Sequence, residues 1–149
     1  MLGASAAAPI ALIAILNFGT NEAVESLSAE TTEHRSQLDS LRAGRWPTGR
    51  PGERIAALAE RLDSETVKRI RRYWELQAWL VLEAEEAMLE EAESDAVIDP
   101  VAIRAALDEL AGLRRAIGRS TFAAFKPLLP FSRNDAWEVA ELRQKIRGL

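Results

Sequence analysis

The chain has 149 residues, 48% of them hydrophobic and 28% charged, which is one globular domain's worth with room for an appendage and little room for disorder. Its net charge of −4, with acids and bases intermixed, lacks the basic balance of a nucleic-acid binder, so no nucleic-acid partner is expected. The absence of Cys excludes disulfides, thiol nucleophiles and cysteine-bound metal sites, and a single His excludes multi-histidine metal sites.

Residues 2–18 form an apolar run without a charge. Three readings compete for it. A cleaved signal peptide needs a basic start and a small-residue cleavage site after the apolar core. Here no Lys or Arg comes first, and the small cluster Ala4-Ser5-Ala6-Ala7-Ala8 precedes the most hydrophobic part. A transmembrane helix is the leading reading. Seventeen residues rise about 25 Å against a hydrocarbon core of about 30 Å, a marginal span that Gly19 and Thr20 extend. Pro9 falls near the first turn, where proline is tolerated. The third reading is a helix buried in a soluble bundle or oligomer. A missing portion upstream would also account for an anchor without flanking charge. Arg35, Arg42 and Arg45 all follow the run, so the positive-inside rule places the C-terminal bulk in the cytoplasm.

One repeat passes from this run into charged sequence. Ile10, Ile13, Asn17, Thr20, Val24, Leu27, Thr31, His34, Leu38 and Leu41 alternate spacings of three and four. The pattern predicts a helical stalk over 21–43, continuous with an anchor over 1–20. Its seam, Val24, Leu27, Leu38 and Leu41, either joins copies of the chain or packs on its own domain; Thr31 and His34 interrupt it. Residues 44–52, with three Gly and two Pro, read as a linker. Trp46 within it either touches a membrane interface or covers the domain core, and the core is the preferred reading.

A bundle of about five helices is predicted over 53–149, giving an all-α protein with no sheet. Ile55, Leu58, Ala59 and Leu62 line the first helix, over 53–62. Asp63-Ser64 is an N-cap pair for a long helix over 65–93 with the seam Val67, Ile70, Trp74, Gln77, Val81, Ala84 and Met88. Ala78 to Leu82 is apolar all round, so this helix belongs at the centre of the core. Asp99-Pro100 starts the next helix and Gly118 ends it. A short helix over 120–128 follows. Ser132 opens the last, packed through Trp137, Val139, Leu142 and Ile146.

Chemistry is sparse. Glu83, Glu85, Glu86, Glu90, Glu91 and Glu93 crowd one helix end and read as a solvated acidic face; Glu86 and Glu90 are one turn apart and could share a cation, but no His is expected anywhere near them. Lys68, Arg69, Arg71 and Arg72 lie near the start of the same helix, where bases oppose the helix dipole. A compensating partner is therefore expected: a neighbouring helix, another subunit or anionic lipid. Gly44 and Gly49 have phosphate-loop spacing, but Arg50-Pro51 replaces the required Lys-Ser/Thr. His34 with Glu30 or Asp39 is a base candidate without a pocket. No catalytic residue, cofactor or metal is expected.

The segments 113–121, Lys126-Pro127-Leu128-Leu129 and Ser132 to Glu138, with Tyr73 to Trp79, resemble the cytoplasmic tail of PrsW-type intramembrane metalloproteases over residues 65–140. The resemblance implies a last membrane helix followed by a tail. The family's paired glutamates carry a following lysine that Glu85-Glu86 lacks, and its His-x-x-x-Asp motif fails because Leu38 stands four places after His34. What is implied is a non-catalytic tail or a truncated relative. The expected function is a membrane-anchored helical interaction module, or the tail of a larger membrane protein, that binds a protein partner or itself. The alternative is a soluble helical oligomer acting as a structural or scaffold subunit.

Overall fold

A computed structural model describes residues 21–90 and 100–130. Among them are five α-helices and no strand, a helical bundle. The apolar run 2–18 and the helix expected from Ser132 lie outside the described residues. Among those that are described, no helix is long and apolar enough to cross a membrane.

Helix α1 spans Asn21–Arg42, with Glu22 in its first turn and Arg42 in its last, each at the favourable end of the helix dipole. Its buried positions are Leu27, Thr31, His34, Gln37, Leu38 and Leu41. All but Gln37 keep the spacing of three and four read from the sequence. The second half of the seam packs within the same chain: Leu38 and Leu41 join its hydrophobic core, each 3% exposed. The expected stalk over 21–43 is therefore, from His34 onward, part of the bundle. Leu38 and Leu41 are used up internally and are not free to join two copies. Leu27 is buried as well, at 0% exposure. The side chain of Val24 lies outside the described residues.

A glycine turn ends α1. Gly44 has φ 77°, its N–H reaches the Leu41 carbonyl at 3.1 Å, and the Arg45 N–H reaches the Ser40 carbonyl at 2.9 Å. This is a Schellman cap, which satisfies carbonyls that the helix end would orphan. The chain then turns through Trp46, whose ring stacks on Trp74 with centroids 6.4 Å apart. Of the two readings of Trp46, core cover matches this contact. Helix α2 runs Arg50–Ala59, starting inside the expected 44–52 linker. Gly49, at φ 103°, admits the sharp entry, and Pro51 supplies a fixed φ in the first turn. Gly52, Ile55 and Ala59 are its buried face.

Helix α3, Ser64–Glu90, is the axis of the bundle. Asp63 caps it: the Thr66 N–H donates to Asp63 Oδ2 at 3.1 Å and the Thr66 hydroxyl to Oδ1 at 2.6 Å. Those two bonds hold the Asp63 carboxyl below the usual carboxylate range. Asp63→Ala is expected to lower the thermal midpoint at pH 7 and to have less effect in acid. A depressed carboxyl stabilises above its unfolded pKa, and that stability is lost as pH falls through the folded value. A midpoint difference that does not shrink with pH would refute this.

Ala78, Leu80, Val81 and Leu82 are all buried because α3 has helices on two sides. Contacts His34–Glu85, Arg35–Glu86 and Arg42–Glu75 set α1 antiparallel to it. Helix α4, Pro100–Ile117, runs antiparallel on the other flank, with Arg72 opposite Glu109. Ile103, Ala106, Leu107, Leu110 and Ile117 are its buried stripe. Gly118, at φ 93°, breaks the chain into α5, Arg119–Phe125, and a 3-10 turn at Lys126–Leu128. Phe122 meets Tyr73 edge-on at 5.2 Å and Phe125 at 5.3 Å, closing the end of the core near the start of α3.

Candidate functional site

Two seams with polar interruptions meet in register. Where α1 carries His34 and α3 carries Glu85, His34 Nδ1 lies 2.5 Å from Glu85 Oε1. Both are buried, at 7% and 0% exposure. Removal from water pushes the Glu85 carboxyl up from its ordinary value, and the hydrogen bond and charge of His34 only partly oppose this. Glu30, one turn before His34, is also pushed up, by burial first and by the Glu85 charge second. Glu30 Oε2 and Glu85 Oε2 are both buried with no hydrogen-bond partner among the described residues. The contact is a hydrogen bond with one proton between His34 Nδ1 and Glu85 Oε1, either the ring donating to the carboxylate or the carboxylic acid donating to the ring.

This corrects the reading of the glutamates as a solvated face remote from any His. Glu85 is in the core against His34, 51 residues away in sequence. Glu86 pairs with Arg35 and is half-buried. A sequence signal did exist: Glu85 lies four places after Val81, on the buried stripe of α3, opposite the polar breaks in α1. As a base, His34 is poorly presented, because a general base must come within hydrogen-bond reach of a substrate proton. Thr31 is satisfied locally, its hydroxyl donating to the Leu27 carbonyl at 2.8 Å. Among the described residues no group of three His, Asp or Glu side chains is placed to hold a metal ion.

The basic residues at the start of α3 separate into two kinds. Arg72 is engaged internally, with Nε and Nη2 on the two Glu109 oxygens at 2.6 and 2.9 Å and Nη1 on Glu75 at 2.7 Å. The pairing holds the Glu109 carboxyl down and raises the Arg72 guanidinium. This is the compensation that bases at a helix N-terminus call for. Arg71 has no such carboxylate among the described residues. Its Nη1 donates to the Gly44 carbonyl at 3.1 Å, and its guanidinium lies 5.5 Å from the Trp46 ring centroid. Lys68 is exposed one turn earlier.

Beside Arg72 a groove of about 310 Å³ runs between α3 and α4. Trp79, Leu76 and the alanines of α4 form its floor, and Arg42, Arg72, Glu75 and Glu109 its rim. The rim charges are matched in pairs, so the groove carries no excess of either sign.

Among the described residues, charge is instead divided along the bundle axis. The registers above place residues 40–80 and 101–130 toward one end. That end holds fourteen Lys and Arg against seven Asp and Glu, a formal excess of seven positive charges. The other end, residues 21–39 and 81–90, holds one Arg against nine Asp and Glu, a formal excess of eight negative charges. Composition hid this, because the two ends nearly cancel.

No protein family, curated protein or solved structure matches the chain.

Proposed function

We propose that this chain is a non-catalytic helical interaction module, tethered to a membrane through residues 2–18 and carrying its bulk in the cytoplasm, either alone or as the tail of a larger membrane protein. The observation that supports it best is the burial of α1. The helix that follows the apolar run is bonded into the bundle by the His34–Glu85 pair, Leu38 and Leu41. A tether joined at Asn21 is thus coupled to a folded body instead of a loose stalk. The resemblance of residues 65–140 to a non-catalytic tail belongs to the same reading. The interior placement of the sole imidazole favours binding over chemistry.

The tether is tested by alkaline carbonate extraction of membranes carrying the full chain. The full chain should stay in the pellet, and a chain lacking residues 1–20 should appear in the supernatant with its helical circular dichroism intact. If the full chain is extracted, and is monodisperse in buffer without detergent, the alternative replaces this reading: a soluble oligomer whose N-terminal helices bury one another.

A further inference from the structure

We propose that the basic end of the bundle, centred on Arg71 with Lys68 and Arg45 beside it, is a docking site for an acidic segment of a partner protein. The inference rests on the chain being an interaction module and names the partner's chemistry.

Arg71 is held from two sides. The Gly44 carbonyl takes one of its N–H groups and the Trp46 ring covers its guanidinium, which fixes the fork without neutralising it. Glu75, the carboxylate one turn on, is taken by Arg72. Arg71 is therefore a pre-positioned guanidinium with donors left over, the arrangement that binds a carboxylate through two parallel bonds. Arg45, next to Gly44 and Trp46, and Lys68, three residues before Arg71 on α3, are exposed and have no ion pair among the described residues. Ordering a new side chain costs entropy on binding; Arg71 has already lost that freedom on folding.

Geometry chooses among anions. The site is at the Arg42 end of α1, and a tether joins at the Asn21 end. Twenty-two residues of helix separate those ends by about 33 Å. A lipid headgroup beside the point where the tether enters is thus a helix length from the site. A long nucleic acid meets a second obstacle, the excess of eight negative charges on the far half of the bundle. A short acidic protein segment meets neither.

The test uses the full chain in neutral detergent micelles and a fluorescent dodecapeptide of alternating Glu and Ala, read by polarisation. Binding should weaken about tenfold or more in Arg71→Ala, as expected for loss of hydrogen bonds to a charged group. Arg71→Lys should restore little of it, because an ammonium cannot make the paired bonds. Arg35→Ala should bind within about twofold of the parent, since its guanidinium pairs with Glu86 toward the opposite end of the bundle. Equal binding by the parent and by the Lys68→Glu, Arg71→Glu double variant overturns the proposal. So does tighter binding, in the same buffer, to mixed micelles carrying phosphatidylserine or to a single-stranded oligonucleotide. A chain that stays in the carbonate pellet but ignores the peptide refutes this site and leaves the tethered-module reading standing.

Discussion

His34→Leu is expected to destabilise the fold by about 3 kcal/mol at pH 7, read from the urea midpoint, because it strands Glu85 in the core without its partner. Protonation of Glu85 limits the loss, since burial has already raised its pKa. Adding Glu85→Leu to His34→Leu should recover much of the stability, because two apolar groups of similar shape need no partner. Glu85→Gln should cost little, since its amide can still donate to Nδ1. The pH dependence follows from the direction of the shift. A folded carboxyl with a raised pKa contributes stability that is complete below the unfolded value of 4.5 and is lost as pH rises through the folded value. Glu30 acts in the same direction, while Glu109 and Asp63, both depressed, act in the opposite one. The difference between parent and Glu85→Gln isolates the pair: the parent should lose stability relative to the variant above about pH 4.5. Parallel pH profiles, or an unchanged midpoint in His34→Leu, would show that the contact contributes nothing.

Gly52→Ala tests the corner between α1 and α2, and two effects of opposite sign meet there. Helix propensity favours alanine over glycine by about 1 kcal/mol in a helix interior. Packing opposes it, because a Cβ on Gly52 would overlap the backbone carbonyl of Pro47, which has no flexible side chain to move aside. Overpacking of this kind costs about 1–3 kcal/mol and more when backbone must shift. The packing term wins, and a net loss of about 2 kcal/mol is expected from these two magnitudes. Gly112→Ala is the control. It lies within α4, and its new Cβ would meet only the tip of the Arg115 side chain at 3.9 Å. That variant should gain up to about 1 kcal/mol. If Gly52→Ala is as stable as the parent, the close approach of Pro47 is not a constraint.

Punctuation and periodicity were the legible parts of this fold. Asp63, Pro100 and Gly118 mark helix ends through chemistry confined to a few residues, and each marks one here. The run Ala78–Leu82 announced the central helix, since only a helix with neighbours on several sides is apolar all round. The beginning of α2 was less legible. Arg50-Pro51-Gly52 has linker composition, and the carbonyl under Gly52 that rewards a glycine there comes from tertiary structure.

The partner of a buried face was not legible at all. The spacing from Leu27 to Leu41 states that one face of α1 is covered and is silent on whether another chain or this one covers it. The same gap hid the candidate site. Glu85 reads as one acid among six, and only the antiparallel register of α1 and α3 brings His34 to it. Arg71 and Arg72 are adjacent and chemically identical, yet Glu109 takes one and the turn at Gly44 holds the other. The opposed charge of the two ends needs the same register, because acids and bases that cluster in space are interleaved along the chain.

The antiparallel contact between α1 and α3 also decides how the molecule bears load. A pull applied at Asn21 runs along α1, parallel to its interface with α3. His34, Leu38 and Leu41 are then strained together, in shear, instead of one after another as in peeling. Force entering at Asn21 is spread over the second half of the helix before it reaches the corner at Gly44.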